Sequence, residues 1–173
     1  VFLNKFEMSS LDEGKIKIAS IIKFALRYLV SIEPKEKKSF YSYWDGDKEA
    51  LLKLDDSALN QYLNFCVKNL VIYFSVIRKN FNDEWGDSTS KLLSVIAING
   101  FIIAYNRFLD QYGIRDFEFF DKQLKHLKTN FSKEKFPYTS SQYKKFSDEI
   151  LKDSLILGMK ESLEEVAVTS EEQ

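Results

Sequence analysis

The stretch from Lys91 to Tyr112 constrains the fold more than any other part of the chain, because it is apolar on nearly every side. Residues 92–105 carry no charge, and only Ser94, Asn99 and Gly100 interrupt the apolar and aromatic side chains. A helix of this kind needs other helices around it. The uncharged run of about 14 residues is shorter than the roughly 20 that span a bilayer. The pattern therefore predicts a buried core helix and no membrane segment.

Local signals set the expected ends of this helix at about residues 90 and 112. Ser88 and Thr89 can each accept a backbone hydrogen bond at its start. Gly113 stands where helices commonly end, because glycine adopts the left-handed conformation that closes a helix without steric cost.

Two residues in the middle of the predicted helix carry expectations about their neighbours. Gly100 costs roughly 1 kcal/mol relative to alanine in a helix. We therefore expect a neighbouring helix, such as one at residues 57–80, to approach closely there. An unpaired buried amide costs roughly 1–3 kcal/mol, so Asn99 is expected to have a hydrogen-bond partner.

Apolar side chains at helical spacing predict further helices before and after the central one. Asp55, Asp56 or Ser57 can begin the longest of them, and Asp116 can begin the helix that follows the central one. The expected helices cover residues 19–31, 48–54, 57–80, 117–129 and, from a cap at Ser140 or Ser141, residues up to about 163. We predict an all-α fold, an irregular bundle of about five to six helices around the central apolar helix at about residues 90–112.

The domain organisation follows from the same pattern. We interpret residues 1–166 as a single helical domain and residues 167–173 as a frayed acidic tail. A start at Val1 instead of Met favours a fragment or the accessory half of a larger protein. The first residues lack the basic start and long apolar run of a signal peptide. The single cysteine, Cys66, excludes an internal disulfide, and together these features favour the cytoplasm.

Residues that could carry out chemistry are few. The only histidine is His126, and no G-x-S-x-G, H-E-x-x-H, glycine-rich phosphate loop or dinucleotide fingerprint is present. One cysteine cannot form a cysteine-cluster metal site, and Cys66 falls on an apolar helix face, where we expect an unreactive buried thiol. Asp83, Glu84 and Asp87 are interpreted as solvated capping residues. We predict a non-catalytic protein with no catalytic residue, no metal and no cofactor, and an enzyme is the third alternative.

Charge is nearly balanced over the whole chain but not within one segment. The formal net charge of −1 gives no global attraction to nucleic acid or to an anionic membrane. Residues 116–152, in contrast, hold eight lysines and six acidic side chains, a net charge of +2. Lys122, Lys125 and Lys128 recur at helical spacing, as expected for one face of the helix at 117–129.

We call residues 122–145 the lysine segment. Its candidate nucleic-acid contacts are Lys122, Lys125, Lys128, Lys133, Lys135, Lys144 and Lys145. These side chains could bind a phosphate backbone. The segment contains no arginine that could form bidentate hydrogen bonds with a base edge, so sequence-specific recognition is not expected. The alternative is an ordinary solvated helix face.

A second candidate surface is rich in aromatic residues. Four of the five residues at 40–44, which we call the aromatic segment, are aromatic, and they lie in a predicted loop at residues 33–47. They are Phe40, Tyr41, Tyr43 and Trp44. Two interpretations stay open, a stacking surface for a base or a partner side chain, and a loop that folds back to cover the core.

Three segments of the chain, taken in order, carry a family resemblance. They are YFSVIRKNFNDEW at 73–85, SKLLSVIAINGFIIAYNRFL at 90–109, and FFDKQLKHL through FPYTSSQYKKF at 119–146. In this order they resemble the C-terminal helical region of DGQHR-domain proteins, and GKIKIASIIKFAL at 14–26 suits the segment that opens this region. That family includes the DndB-type bacterial regulators associated with DNA phosphorothioate modification.

The resemblance has a limit that bears on function. The D-G-Q-H-R motif is absent from the chain, and so is the α/β portion that precedes the helical region in the family. The resemblance therefore implies the helical accessory half of a DNA-modification or defence regulator, and it carries over no functional residue. Such a domain would contact the DNA backbone, a protein partner or the missing N-terminal domain. The alternative is a protein–protein interaction or structural module with no nucleic-acid contact.

Overall fold

The computed structural model describes residues 18–33, 37–139 and 141–154. All regular secondary structure within these ranges is helical, which confirms the predicted all-α class. The predicted cap at Ser140, the helix end near residue 163 and the acidic tail at 167–173 lie outside the described residues.

The described helices follow one another with short connections. The first run comprises α1 (Ile18–Ile21), a π-helical turn (Ile22–Leu26) and α2 (Arg27–Val30). The following helices are α3 (Phe40–Tyr43), α4 (Lys48–Leu52), α5 (Asp56–Asn80), α6 (Asn82–Gly86), α7 (Val95–Tyr112) and α8 (Phe117–Leu124). We call the helix over residues 143–154 α9; residue 154 is the last residue described.

The central apolar helix is α7, and it begins later than predicted. Ser94, not Ser88 or Thr89, is its N-cap, and the Ser94 hydroxyl accepts a hydrogen bond from the backbone N–H of Ala97. The preceding residues form a turn, because the backbone N–H of Lys91 donates to the Phe131 carbonyl at 2.7 Å. The end of the helix is as predicted, since Gly113 closes it with a φ of 74°.

An aromatic cluster at the centre of the bundle joins α7 to α5 and α8. The rings of Tyr73 and Tyr105 stack with centroids 4.5 Å apart, and Phe120 packs edge-on against both. The Tyr73 hydroxyl donates to the Phe101 carbonyl at 3.0 Å, so this buried polar group is satisfied. Burial raises the pKa of Tyr73 well above its usual value. The cluster therefore fixes the relative positions of three helices.

Gly100 makes the expected close approach, but to a different helix. The prediction placed residues 57–80 against it, whereas the neighbour is α9. A Cβ added at Gly100 would overlap the Phe146 ring and lie 3.1 Å from the Tyr143 carbonyl oxygen. Phe146 uses this space to pack edge-on against Phe101, with centroids 5.1 Å apart.

The prediction that Asn99 has a hydrogen-bond partner is wrong. Its Nδ2 and Oδ1 atoms are fully buried and have no partner in the part of the chain that the structure describes. The hydroxyl of Ser147 on α9 is also buried without a hydrogen-bond partner among the described residues. α7 and α9 thus bury polar groups near their contact at Gly100. No hydrogen bond within the described residues compensates for the hydration that these groups lose.

The helix predicted at 117–129 is shorter than expected. Asp116 caps it as predicted, accepting the Phe119 N–H at 2.9 Å, but α8 ends at Leu124. The chain then turns so that Leu127 and Phe131 enter the core. Burial of these two side chains therefore overrides the helical spacing of the lysines around them.

Candidate functional site

The seven lysine candidates all lie on the surface of the molecule. None of them forms an ion pair with a carboxylate in the described ranges. Lys122, Lys125 and Lys128 do not, however, share the one helix face that their spacing predicts. Lys122 is on α8, Lys125 is its C-cap, and Lys128 lies in the non-helical stretch beyond.

Later lysines of the segment lie on two further elements. Lys133 and Lys135 belong to a turn in which the backbone N–H of Phe136 donates to the Ser132 carbonyl at 2.9 Å. The Phe136 ring stacks on Phe131 at 5.6 Å, which anchors this turn to the core. Lys144 and Lys145 are exposed on α9. The lysine segment therefore comprises the end of α8, an anchored turn and the start of α9.

Glu149 brings these elements together. Its carboxylate accepts a hydrogen bond from the Thr129 hydroxyl at 2.5 Å and another from the Tyr138 hydroxyl. Burial, together with this carboxylate, raises the pKa of Tyr138, so the phenol stays protonated and can keep donating. Lys128 adjoins Thr129, and Lys145 lies one helical turn before Glu149, so the same contacts hold these two lysines in one neighbourhood.

Four of the six acidic side chains at 116–152 are engaged with other groups. Asp116 caps α8, and Glu149 accepts the two hydroxyls. Asp148 pairs with Arg107 of α7. Asp121 accepts from Lys79 of α5 at 2.6 Å, and this hydrogen bond is the main cause that lowers its pKa. Asp121 also interacts electrostatically with Lys125, so it remains a local counter-charge of the lysine segment.

The aromatic segment is not an exposed surface. Phe40 and Trp44 are buried, and Tyr41 and Tyr43 are half-buried. Phe40 packs edge-on against Tyr105 with centroids 5.4 Å apart. The predicted loop is wrong at these residues, since Phe40–Tyr43 form α3, but the segment does cover the core, which is one of the two interpretations. Phe40 and Trp44 are therefore not available to a partner in this fold.

Hydrogen bonds hold the aromatic segment against the core. The Ser39 hydroxyl donates to the Ser31 carbonyl at 2.6 Å, and Ser39 with Ser42 forms a capping box at the start of α3. The Tyr43 hydroxyl donates to the Leu109 carbonyl at 2.8 Å. These bonds satisfy polar groups that would otherwise oppose burial of the neighbouring rings.

Chemically reactive groups do not converge in the described part of the chain. Cys66 is buried, and burial raises the pKa of its thiol to about 11, so almost no thiolate is present at neutral pH. His126 is exposed on the C-terminal side of α8. Within the described ranges, no group of three His, Cys, Asp or Glu side chains could hold a metal ion.

Sequence reasoning missed an exposed apolar stripe on α5. Leu63 and Val67 occupy apolar positions at helical spacing, yet they are 50% and 56% exposed, and Val71 is 44% exposed. The three residues recur every fourth position and so form one line along the helix. The apolar face of α5 is wider than its contact with the bundle, and only the packing shows which edge is left uncovered.

The chain matches no protein-family model, and no significant match to it was found among curated proteins or solved structures. The segments that carry the resemblance to DGQHR-domain proteins fall on α5 with α6, on α7, and on α8 to α9. The relationship to that family therefore stays a prediction from sequence. Among the helices that the structure describes, none has both the length and the hydropathy needed to cross a membrane.

Proposed function

We propose that this chain is a non-catalytic helical accessory domain of a regulator associated with DNA modification or defence, and that its lysine segment contacts the DNA backbone. The observation that supports the proposal is the exposure of all seven lysines without a carboxylate partner in the described ranges. Two nearby carboxylates, Asp121 and Asp148, form ion pairs with Lys79 and Arg107, which lie outside the lysine segment. Phosphate oxygens are the counter-charges that such lysines favour.

The expected contact is with phosphates rather than with bases. The lysine segment contains no arginine, and arginine is the residue that most often makes bidentate contacts with guanine. Binding should therefore depend weakly on sequence and strongly on salt. Each phosphate neutralised by a lysine adds about 0.9 to the slope of log affinity against log salt on duplex DNA.

Fluorescence anisotropy with a labelled duplex, measured over a series of salt concentrations, tests this proposal. The variant carries Lys122→Glu, Lys125→Glu and Lys128→Glu. We expect its affinity at low salt to fall by at least roughly tenfold and its salt slope to become shallower.

A control with the same change in net charge separates a local contact from a general charge effect. It carries Lys37→Glu, Lys53→Glu and Lys68→Glu, three exposed lysines outside the lysine segment. The control should bind more tightly than the test variant. Equal losses in the two variants, or no binding by the wild type at low salt, would exclude a backbone contact through the lysine segment.

A second candidate function is a protein-interaction module with no nucleic-acid contact. The apolar stripe of Leu63, Val67 and Val71 favours it, because contiguous exposed apolar residues mark interaction surfaces. A straight stripe on one helix can pack against its own copy about a two-fold axis. The occupant considered for this candidate is therefore a second copy of the chain.

Sedimentation velocity over a range of protein concentrations tests the second candidate. Self-association should be present in the wild type and absent in Val67→Lys. Asn64→Lys is the matched control, since Asn64 is exposed on the same helix but lies outside the stripe. A wild type that stays monomeric at all concentrations would exclude self-association through the stripe.

A further inference from the structure

A groove lies between α5 and the turn that joins α7 to α8. Its volume is about 470 Å³, which is within the range of roughly 300–1,000 Å³ for sites that bind small ligands or side chains. Its apolar walls are Phe65 and Ile72 on α5, Ile114 in the turn and Phe119 on α8. The groove and the apolar stripe occupy different sides of α5, because residues advance by about 100° along a helix.

Two cations stand at this groove, and neither has a carboxylate partner in the described part of the chain. They are Lys68 and Arg115, and both are exposed. The guanidinium of Arg115 lies over the Phe119 ring, 5.5 Å from its centroid, which favours one position for this side chain. Asp116 also lines the groove, but its carboxylate accepts the Phe119 N–H as the cap of α8. The groove therefore has a net positive charge and apolar walls.

A buried amide adds a hydrogen-bond acceptor to the same groove. Asn69 lines it and is only 4% exposed. Its Nδ2 donates to the Phe65 carbonyl at 2.8 Å, and this hydrogen bond orients the amide. An oriented acceptor of this kind suits an N–H donor from a bound molecule.

We propose that this groove binds an acidic peptide segment of a partner protein. A large aliphatic or aromatic side chain of the peptide occupies the space between the apolar walls. Neighbouring Asp or Glu carboxylates pair with Lys68 and Arg115, and a peptide N–H donates to the Oδ1 of Asn69. The aliphatic walls at Ile72 and Ile114 suit an apolar side chain, and competition by a mononucleotide tests the alternative of a base stacked on Phe65 or Phe119.

The proposal does not depend on DNA binding, because Lys68 and Arg115 lie outside the lysine segment. It requires only that the fold presents the groove as described. The peptide surface and the DNA surface can therefore be removed separately by substitution.

Selection from a phage-displayed library of random peptides on the immobilised full chain tests the proposal. We expect enrichment of sequences in which Asp or Glu flanks Leu, Ile, Phe or Trp. The enriched peptide, labelled with a fluorophore, is then titrated with protein in an anisotropy assay. Lys68→Glu with Arg115→Glu should weaken binding by at least roughly tenfold, whereas Lys68→Arg with Arg115→Lys should retain most of it.

Lys37→Glu with Lys152→Glu is the matched control, because it changes the net charge equally at two exposed lysines outside the groove, and it should bind the peptide like the wild type. Thermal unfolding of each variant, followed by circular dichroism, establishes that it is folded. Three results would overturn the proposal. They are no enrichment of acidic apolar sequences, equal binding by the Lys68 and Arg115 reversal, and displacement of the peptide by a mononucleotide. If Lys68→Glu with Arg115→Glu loses peptide binding but keeps DNA binding, the peptide binds at the groove and not at the lysine segment.

Discussion

The aromatic segment and the lysine segment were both candidate surfaces by sequence, yet one of them is part of the core and the other is exposed. Phe40 and Trp44 are buried against α5 and α7, whereas Lys122 through Lys145 include seven exposed ammonium groups. Both segments lie largely outside long helices. The comparison teaches that the side chains, not the loop conformation, decide which segment is covered.

The free energies of transfer explain this difference. An aromatic side chain can bury roughly 150–250 Å², and each buried Å² of apolar surface contributes about 25 cal/mol. A lysine gains little from burial and loses the hydration of its ammonium group, so its stem lies on the surface while its charge stays in water. Four rings within five residues therefore bring their loop onto the core.

The largest expected effect comes from Phe40→Ala. Phe40 is fully buried and packs edge-on against both Phe65 and Tyr105. Truncation of a buried phenylalanine costs roughly 3–5 kcal/mol, since it removes apolar contacts and leaves a cavity. Urea unfolding of the purified chain measures this loss as a lower midpoint with an unchanged slope.

The matched control for Phe40→Ala comes from the lysine segment. Lys144→Ala with Lys145→Ala should change the free energy of unfolding by less than about 0.5 kcal/mol, because both side chains are exposed. Similar losses in the two variants would contradict the assignment of one segment to the core and the other to the surface.

The next effect concerns the attachment of α9, which carries Lys144 and Lys145, to α7. Gly100→Val places side-chain atoms where the Phe146 ring lies, close to the Tyr143 carbonyl. Overpacking of this kind typically costs about 1–3 kcal/mol, even though valine is a better helix former than glycine. Urea unfolding gives the magnitude.

Gly86→Ala is the control for Gly100→Val. Apart from its chain neighbours and the backbone of its own helix, no atom lies within 4 Å of a Cβ added at Gly86, so this substitution should be neutral or slightly stabilising. If Gly100→Val proved as stable as the wild type, α9 would not pack on α7 at this point.

Much of the fold was predictable because local chemistry determines it. Asp55 accepts the N–H groups of Ser57 and Ala58 at the start of α5, and Gly113 ends α7. A glycine within an apolar helix also predicted that another helix approaches there. Each of these predictions depends on neighbours in sequence or on the size of one side chain.

The remaining features depend on residues far apart in the chain. Lys91 is tied to Phe131, which delays the start of α7, and Phe131 is drawn into the core beyond the early end of α8. The neighbour of Gly100 is Phe146, and helical spacing contains no information about which helix that would be. For the same reason, the groove at Lys68 and Arg115 could not be predicted, since its residues come from separate elements.

A smaller effect distinguishes two asparagines of α7. The Nδ2 of Asn106 donates to the Lys38 carbonyl at 3.0 Å, just before the aromatic segment, whereas Asn99 has no hydrogen-bond partner in the described residues. Asn99→Leu should therefore raise the free energy of unfolding by about 1 kcal/mol, because it removes unsatisfied buried polar atoms. Asn106→Leu should lower it by a similar amount. We expect the urea midpoint to rise in Asn99→Leu and to fall in Asn106→Leu, relative to the wild type. A loss of stability in both variants would contradict this.

The smallest expected effect is at the ion pair that attaches α8, the first element of the lysine segment, to α5. The Nζ of Lys79 lies 2.6 Å from Oδ2 of Asp121, and the two side chains are 56% and 24% exposed. Because solvent screens the pair, Asp121→Asn should lower the free energy of unfolding by at most about 1 kcal/mol at pH 7. The hydrogen bond from Lys79 lowers the pKa of Asp121 in the folded state. The contribution of this ion pair to the free energy of unfolding is therefore complete above the unfolded-state pKa of Asp121, about 3.9. It is lost as the pH falls through the folded-state pKa.

Urea unfolding of the wild type and Asp121→Asn at a series of pH values checks this. The difference between the two proteins should decrease below about pH 4, because an increasing fraction of Asp121 is then protonated. Glu49→Gln is the control, since the Glu49–Lys53 pair is more exposed, at 80% and 72%, and its loss should be smaller. A difference that stays constant down to the acid transition would mean that Asp121 stabilises α8 through its hydrogen bond from Asn80 and not through its charge. The lysine segment would then be attached to α5 without an ion pair at this point.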